Sequence, residues 1–225
     1  MSANYKDLST KNEVEETILR PDITYKESQD LYSKWAEFGT YDDVLGEEHN
    51  IYRGQIMLAE TMEKLFTDKT NVRLLDVGAG TGLTGDKLKN LGYKYIDAVE
   101  PLPKFAEDCS KKGCYTKVMN QPIGLDLPLD VPDNYYDAVC TVGAFGPGAI
   151  PPSAYPEFIR VTKPGGYILN VMREEYLWTV PQYRDKLQPF LKELEGKGLI
   201  TQIEWLQYPG HYGDKSGVRI LHRVC

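Results

Sequence analysis

Nine residues, LLDVGAGTG (74–82), constrain this chain more than any other stretch. An apolar strand runs straight into a loop with glycines at 78, 80 and 82. Glycine reaches positive φ without a side-chain clash and lets a ligand lie against the backbone. A helix starting near Leu83 then points its unpaired amides and positive dipole end at that ligand. A merely tight strand–helix turn is the plainer reading, but it accounts poorly for three alternating glycines. The spacing is G-x-G-x-G with Leu83 next, so the dinucleotide fingerprint G-x-G-x-x-G is absent. Asp76 precedes the glycines, and a second acid, Glu100, closes the following strand in YIDAVEP.

Composition narrows the class. A length of 225 residues falls within the range of single α/β domains. A net charge of −7 argues against a large phosphate-tracking surface, so no nucleic-acid partner is expected. No apolar run approaches the roughly 18 residues needed to cross a bilayer, and the polar start MSANYKDLSTKNEVEE lacks a signal-peptide apolar region. Neither a membrane association nor export is therefore expected. Cys109, Cys114, Cys140 and Cys225 lack C-x₂-C spacing, which predicts reduced thiols in a cytoplasmic protein and no metal site.

Along the chain, a helical cap (1–50) precedes one compact unit (51–225). Residues 1 to about 22 are polar and frayed in expectation. A helix is predicted from Thr24, with Leu31, Trp35 and Phe38 on one face at i, i+4, i+7. A longer one from about Asn50 to Phe66 carries Ile51, Leu58, Met62 and Leu65 in one stripe. Strands are predicted at 72–77, 93–99, 115–119, 136–142 and 166–171. Several are nearly continuous in Val, Leu and Ile, as in strands covered on both faces. Intervening helical segments point to a parallel sheet of βαβ units. Tyr183, Leu187, Phe190, Leu191 and Leu194 share a later helical face, which Pro189 is expected to kink. Two further strand-like runs, 199–208 and 217–224, flank the turn-rich PGHYGDKS and read as an antiparallel hairpin.

These features together resemble class I S-adenosylmethionine-dependent methyltransferases across roughly residues 32–224. The glycine loop and Glu100 resemble that family's cofactor site. YSKWAEFGTYDDVL resembles the element that precedes its cofactor domain, and YYDAVCTVGAF its fourth strand and loop. EFIRVTKPGGYILNV resembles its helix–turn–strand block, in which Pro164 ends the helix and Gly165–Gly166 make the turn. The terminal hairpin is also a family feature. Within the class, VGAFGPGAIPPSAYPEFIRVTKPGG is most similar to the vertebrate methyltransferase-like proteins of the Williams–Beuren syndrome region. The implied fold is α/β and Rossmann-like, a mostly parallel sheet ending in an antiparallel hairpin with helices on both faces. The implied cofactor is S-adenosyl-L-methionine.

The resemblance assigns roles residue by residue. Gly78, Ala79, Gly80, Thr81 and Gly82 form the cofactor loop. Asp76 either caps the next helix, bonds the loop amides or approaches the methionine amino group. Glu100 offers two acceptor oxygens to the ribose hydroxyls, the alternative being a solvated strand end. Leu102, beside Pro101, either lies against adenine or simply packs. Many relatives carry an acid in a D-A-x-x-L-P segment that accepts from the adenine amino group. Aligning on Leu127 and Pro128 puts Ile123 and Gly124 there, so Gln121, a backbone carbonyl or a shifted loop takes that contact. Val142, Gly143 and Ala144 line the methionine end, because loops at the carboxyl ends of parallel strands form the site. Tyr32, Trp35 and Tyr41 either close over the cofactor as a lid or serve as packing.

For chemistry, methyl transfer demands mainly position and desolvation, and a general base depends on the nucleophile. No Asp–Asp–Asn set marks a magnesium-assisted reaction, and no N-P-P-Y motif marks an amide or adenine-amino methylase. His211 either reaches the site or is a solvated loop histidine, and His222 reads as structural. The expected activity is methylation of an oxygen or nitrogen of a small-molecule acceptor. The alternatives are a protein methyltransferase or a catalytically idle cofactor-binding protein. A nicotinamide or nucleotide-sugar enzyme is disfavoured by the missing G-x-x-G ending and Tyr-x-x-x-Lys pair.

Overall fold

The computed structural model describes residues 11–45, 52–124 and 127–225. Seven strands form one sheet: β1 (Arg73–Val77), β2 (Tyr95–Val99), β3 (Lys117–Met119), β4 (Tyr136–Val142), β5 (Thr162–Arg173), β6 (Ile200–Tyr212) and β7 (Lys215–Val224), in the order β3-β2-β1-β4-β5-β7-β6. The first five pair in parallel, whereas β7 runs antiparallel to β5 and β6. The helices are α1 (Lys11–Thr17), α2 (Tyr25–Phe38), α3 (Tyr41–Leu45), α4 (Gly54–Leu65), α5 (Leu83–Asn90), α6 (Pro103–Lys111), α7 (Tyr155–Val161), α8 (Tyr176–Thr179) and α9 (Leu187–Gly196).

Strand residues alternate between two cores, which explains the near-continuous apolar runs. Leu75, Val77, Val139 and Ile168 face Phe158, Leu187 and Leu191 of α7 and α9. Leu74, Ala138, Cys140 and Leu169 face Met57, Leu58 and Met62 of α4 and Leu88 of α5. Leu58 and Met62 are fully buried, and each such burial contributes about 1.5–3 kcal/mol. Among the described residues no helix is long and apolar enough to cross a membrane.

Helix α2 begins where its sequence dictates. The Thr24 hydroxyl accepts from the Glu27 amide at 3.3 Å, and Glu27 accepts from the Thr24 amide at 2.9 Å, a reciprocal cap. Gly39, at φ +73°, ends the helix in the left-handed region. Leu31 and Trp35 are buried as expected, but Phe38 is 48% exposed, because no core cluster extends to this last residue of the helix. Helix α4 starts at Gly54; the expected start at Asn50 and the stripe residue Ile51 lie outside the described residues.

Three further expectations are corrected. Pro164 does not end α7: the helix stops at Val161, and Thr162 already pairs with Tyr136. Lys163–Gly166 bulge from β5 instead, with Gly165 at φ +81° and no room for a Cβ on Gly166, which would stand 2.7 Å from the Asp137 carbonyl. Pro189 does not kink α9; it sits in the first turn, where no amide is needed. PGHYGDKS is not a loop, since β6 continues to Tyr212 and β7 begins at Lys215, leaving Gly213 and Asp214 as the turn.

Candidate active site

The carboxyl ends of the parallel strands open into a cleft of about 1320 Å³, counting space continuous with solvent. Its floor is the loop after β1. Gly78, Gly80 and Gly82 all have positive φ, at +75°, +57° and +94°. The structure gives two of them a packing reason as well. A Cβ on Gly78 would stand 2.4 Å from the Ala144 Cβ, and one on Gly82 would stand 3.1 Å from the Tyr115 ring. Gly78, Ala79, Gly80 and Thr81 line the cleft, whereas Gly82 does not. It turns away to cap α5 against Tyr115 and Cys109.

Glu100 is not a solvated strand end. It is 4% exposed, and its two oxygens accept from the amides of Leu102 at 2.9 Å and Gly80 at 2.8 Å. Burial pushes its carboxyl up to about 7 despite those two amides, which pull the other way. The carboxylate thus clamps the glycine loop to the end of β2 while lining the cleft. Pro101, Leu102, Gln121 and Ile123 continue that wall. Leu102 also packs with Phe105 and Ala36, so lining and packing coincide there. Gln121 directs its amide nitrogen to the Pro128 carbonyl at 3.4 Å.

Asp76 does not line the cleft. Its neighbours Leu75 and Val77 point to one face of the sheet, and Asp76 shares the opposite face with Leu74. There it accepts from the Tyr115 hydroxyl at 2.6 Å, and that oxygen accepts from the Gly85 amide at 3.0 Å. Asp76 therefore supports the first turn of α5 through Tyr115. Burial raises its carboxyl to about 7.

The roof comes from α1–α3. Tyr32, Trp35 and Tyr41 line the cleft and form an aromatic chain, with ring centroids 5.9 Å and 4.7 Å apart, that reaches Phe105 of α6 at 4.8 Å. Trp35 donates its indole N–H to Thr40 at 3.1 Å. Asp42 latches this segment down by accepting from Thr81 and, at 3.1 Å, from Lys112.

The remaining wall contains residues that sequence reasoning missed. Beyond Val142, Gly143 and Ala144 stand Tyr52, Gln55, Arg173, Tyr176 and Tyr212. The Tyr52 hydroxyl and Gln55 Oε1 are buried without a hydrogen-bond partner. Arg173 extends β5 two residues past Val171, so its signal was a basic residue just beyond a predicted strand end. His211 lies at 2% exposure on β6, which removes the solvated-loop reading. Its Nδ1 shares a 2.5 Å hydrogen bond with Tyr208, and its ring meets Tyr52 edge-on at 5.1 Å. Burial, then the Arg173 charge, lowers its pKa to about 3, so the imidazole is neutral. His222 is buried beside Tyr155 and away from the cleft.

Residues 75–170 match the family described as "Methyltransferase domain". Human methyltransferase-like protein 27 is 30% identical over 180 residues, covering 80% of this chain and 69% of the relative. The chain belongs to the class I S-adenosylmethionine-dependent methyltransferases. Among solved structures, the cyclase SpnF superposes with a TM-score of 0.64 at 17% identity, covering 91% of this methyltransferase and 98% of SpnF. An S-adenosylmethionine-dependent methyltransferase from Aquifex aeolicus gives 0.56 at 18%, covering 86% and 97%. Such likenesses carry the fold, and chemistry has to be argued from the site.

S-adenosylmethionine is the methyl donor of this family, and the cleft suits it. Two carboxylate oxygens provide about four acceptor positions. The Gly80 and Leu102 amides engage one on each oxygen of Glu100. A buried carboxylate raised to about 7 gains from further donors such as a pair of vicinal hydroxyls.

Proposed function

We propose that this methyltransferase acts on an oxygen or nitrogen of a small-molecule acceptor. The observation that carries the reading is the roofed cleft, in which α1–α3 cover the strand ends and the Tyr52 hydroxyl packs against Gly143. Arg173 is the only lysine or arginine among the described wall residues, which does not favour a nucleic-acid substrate.

In this reading Glu100 holds the ribose hydroxyls, and the 78–81 backbone accommodates the methionine portion. Pro101, Leu102, Gln121 and Ile123 flank the base. Val142, Gly143 and Ala144 border the reacting end. Bound S-adenosylmethionine supplies an electrophilic methyl group whose transfer to the acceptor's lone pair leaves the carbon–sulfur electrons on sulfur. Tyr32, Trp35 and Tyr41 keep water out. His211 lines the cleft as a neutral hydrogen-bonding group, and its pKa, lowered to about 3, makes it a weak base, so transfer relies mainly on position and desolvation.

The test is a labelled methyl donor incubated with the protein and a fractionated cell extract. Label in the small-molecule fraction is expected. Label confined to protein would favour a protein methyltransferase. No transfer alongside tight S-adenosylhomocysteine binding would favour an idle binder.

A further inference from the structure

Building on the proposed placement of S-adenosylmethionine along residues 78–81, we infer that the loop after β4, Ala144–Ile150, is a strap that ties the glycine loop to the roof helix α2. Seating the cofactor then sets the roof and the wall beside the reacting end in one step. Gly148 and Tyr183 are the positioning residues of this strap.

Three sets of contacts hold it. Its two ends lie on the glycine loop, where a Cβ on Gly78 would stand 2.4 Å from the Ala144 Cβ and 3.7 Å from the Ile150 Cδ1. Its turn lies against the start of α2. Gly148 sits there at φ +61°, and a Cβ on it would stand 2.7 Å from the Thr24 carbonyl oxygen and 2.9 Å from the Ser28 Cβ. Ser28 is fully buried, and only glycine allows so close an approach. The third set joins the strap to the main core. The Phe145 ring packs on Tyr183 at 5.8 Å, and the buried Tyr183 hydroxyl lies 2.8 Å from the carbonyls of both Gly146 and Ile150. The Gln182 amide nitrogen also donates to the Ala149 carbonyl at 3.1 Å.

The strap thus has one fixed anchor and two working contacts. Ala144, Ala149 and Ile150 line the cleft, as do Tyr32 and Trp35 of α2. A ligand that orders the glycine loop also orders Ala144 and Ile150, and the Gly148 contact passes that order to α2. Tightly packed contacts of this kind switch between discrete arrangements rather than stretch. The roof is held to the glycine loop a second time through α3, where Asp42 accepts from Thr81. Strap and latch therefore grip the roof at opposite ends of α2.

The experiment is hydrogen exchange on the full chain, with and without S-adenosylhomocysteine, in the wild type, Gly148→Ala, Tyr183→Phe and Gly92→Ala. Gly92 is the control, because at φ +96° it has nothing within 4 Å of a Cβ, so alanine there brings backbone strain without a contact. In the wild type, ligand should slow exchange at least about fivefold in both 25–38 and 145–150. Gly148→Ala should lose the response in 25–38 and keep it in 145–150, whereas Gly92→Ala should keep both. Tyr183→Phe should quicken exchange in 145–150 without ligand and weaken the response in 25–38. Wild-type protection of one segment without the other, protection of neither, a full α2 response in Gly148→Ala, or its equal loss in Gly92→Ala would overturn the strap. If Gly148→Ala does not fold, the wild type and Tyr183→Phe decide. Failure of S-adenosylhomocysteine to bind the wild type would instead overturn the cofactor placement, so the two failures are separable.

Discussion

The Tyr52 hydroxyl occupies the space a side chain at Gly143 would need, 2.5 Å from the position of a Cβ there. Gly143 also sits at φ +70°, where L side chains are strained. This pair fixes the junction between the proposed cofactor and acceptor halves of the cleft. The entry to α4 is pinned at the same place, because Tyr52 bridges to Tyr212 and the Arg53 amide donates to the His211 carbonyl at 2.9 Å. Gly143→Ala should therefore destabilise the protein by about 1–3 kcal/mol in urea unfolding. In a Tyr52→Phe background the steric share should shrink, so the two effects should be less than additive. Full additivity would show that backbone strain alone makes Gly143 necessary.

Glu100 predicts a pH-dependent affinity. Its carboxyl is raised to about 7, so it is largely protonated in the ligand-free protein at pH 6 and ionised at pH 8. Hydroxyl donors favour the ionised form, so S-adenosylhomocysteine should bind about tenfold more tightly at pH 8 than at pH 6. The sign for the free protein is opposite. An acid whose folded pKa is raised stabilises the fold at low pH, and that contribution is lost as pH climbs from the ordinary value of 4.5 through 7. Glu100→Gln should flatten the affinity profile. At pH 8, Glu100→Ala should cost about 1.5–3 kcal/mol of binding, roughly ten- to a hundredfold, by calorimetry. A profile unchanged in Glu100→Gln would take the carboxylate out of the ribose contact.

The roof predicts a latch. Asp42 holds α3 to Thr81 of the glycine loop and to Lys112 at 3.1 Å, and Lys112 also pairs with Asp86 at 3.4 Å. Both charged partners are partly exposed, so Asp42→Ala should cost about 0.5–1 kcal/mol. Hydrogen exchange over residues 25–45 should then quicken, and S-adenosylhomocysteine should leave a few-fold faster. In the intact protein, ligand should slow exchange in this segment. Equal exchange with and without ligand would make α2 and α3 a permanently docked wall, with the aromatics as packing alone.

How far the sequence was legible follows from the range of the interactions. The glycine loop, Glu100 and the helix start at Thr24 are local patterns, and each appears where its residues put it. The mostly parallel sheet also follows, because nearly continuous apolar strands need two covered faces, and the terminal hairpin follows from a turn-rich segment between two strand-like runs. The bulge at Lys163–Gly166 was hidden, since proline and glycine after a helix suit a turn equally well. His211 misled for a similar reason: pairing with β7 carries β6 through Pro209 and Gly210, and no local signal records that partner. Tyr52 and Gln55 line the same cleft as Arg173, more than a hundred residues further along the chain, so only the fold brings them to one wall.

Asp76 gives the last prediction, because family resemblance and geometry separate there. The resemblance offers the methionine amino group as its partner, whereas the structure turns the carboxylate to Tyr115 at 2.6 Å, off the cleft wall. If its role is to support α5, Tyr115→Phe should leave a buried carboxyl and the Gly85 amide short of a partner, costing about 1–3 kcal/mol of stability. Loss of that hydroxyl should also raise the Asp76 pKa further, since the Tyr115 bond is what now opposes burial. S-adenosylhomocysteine affinity should change less than about threefold, within roughly 0.6 kcal/mol. Asp76→Asn separates the possibilities by the same two measurements, urea unfolding and calorimetry. Lower stability with affinity kept places the residue in the scaffold. A tenfold loss of affinity in Asp76→Asn, with Tyr115→Phe binding normally, would mean that the carboxylate reaches the cofactor once it is bound.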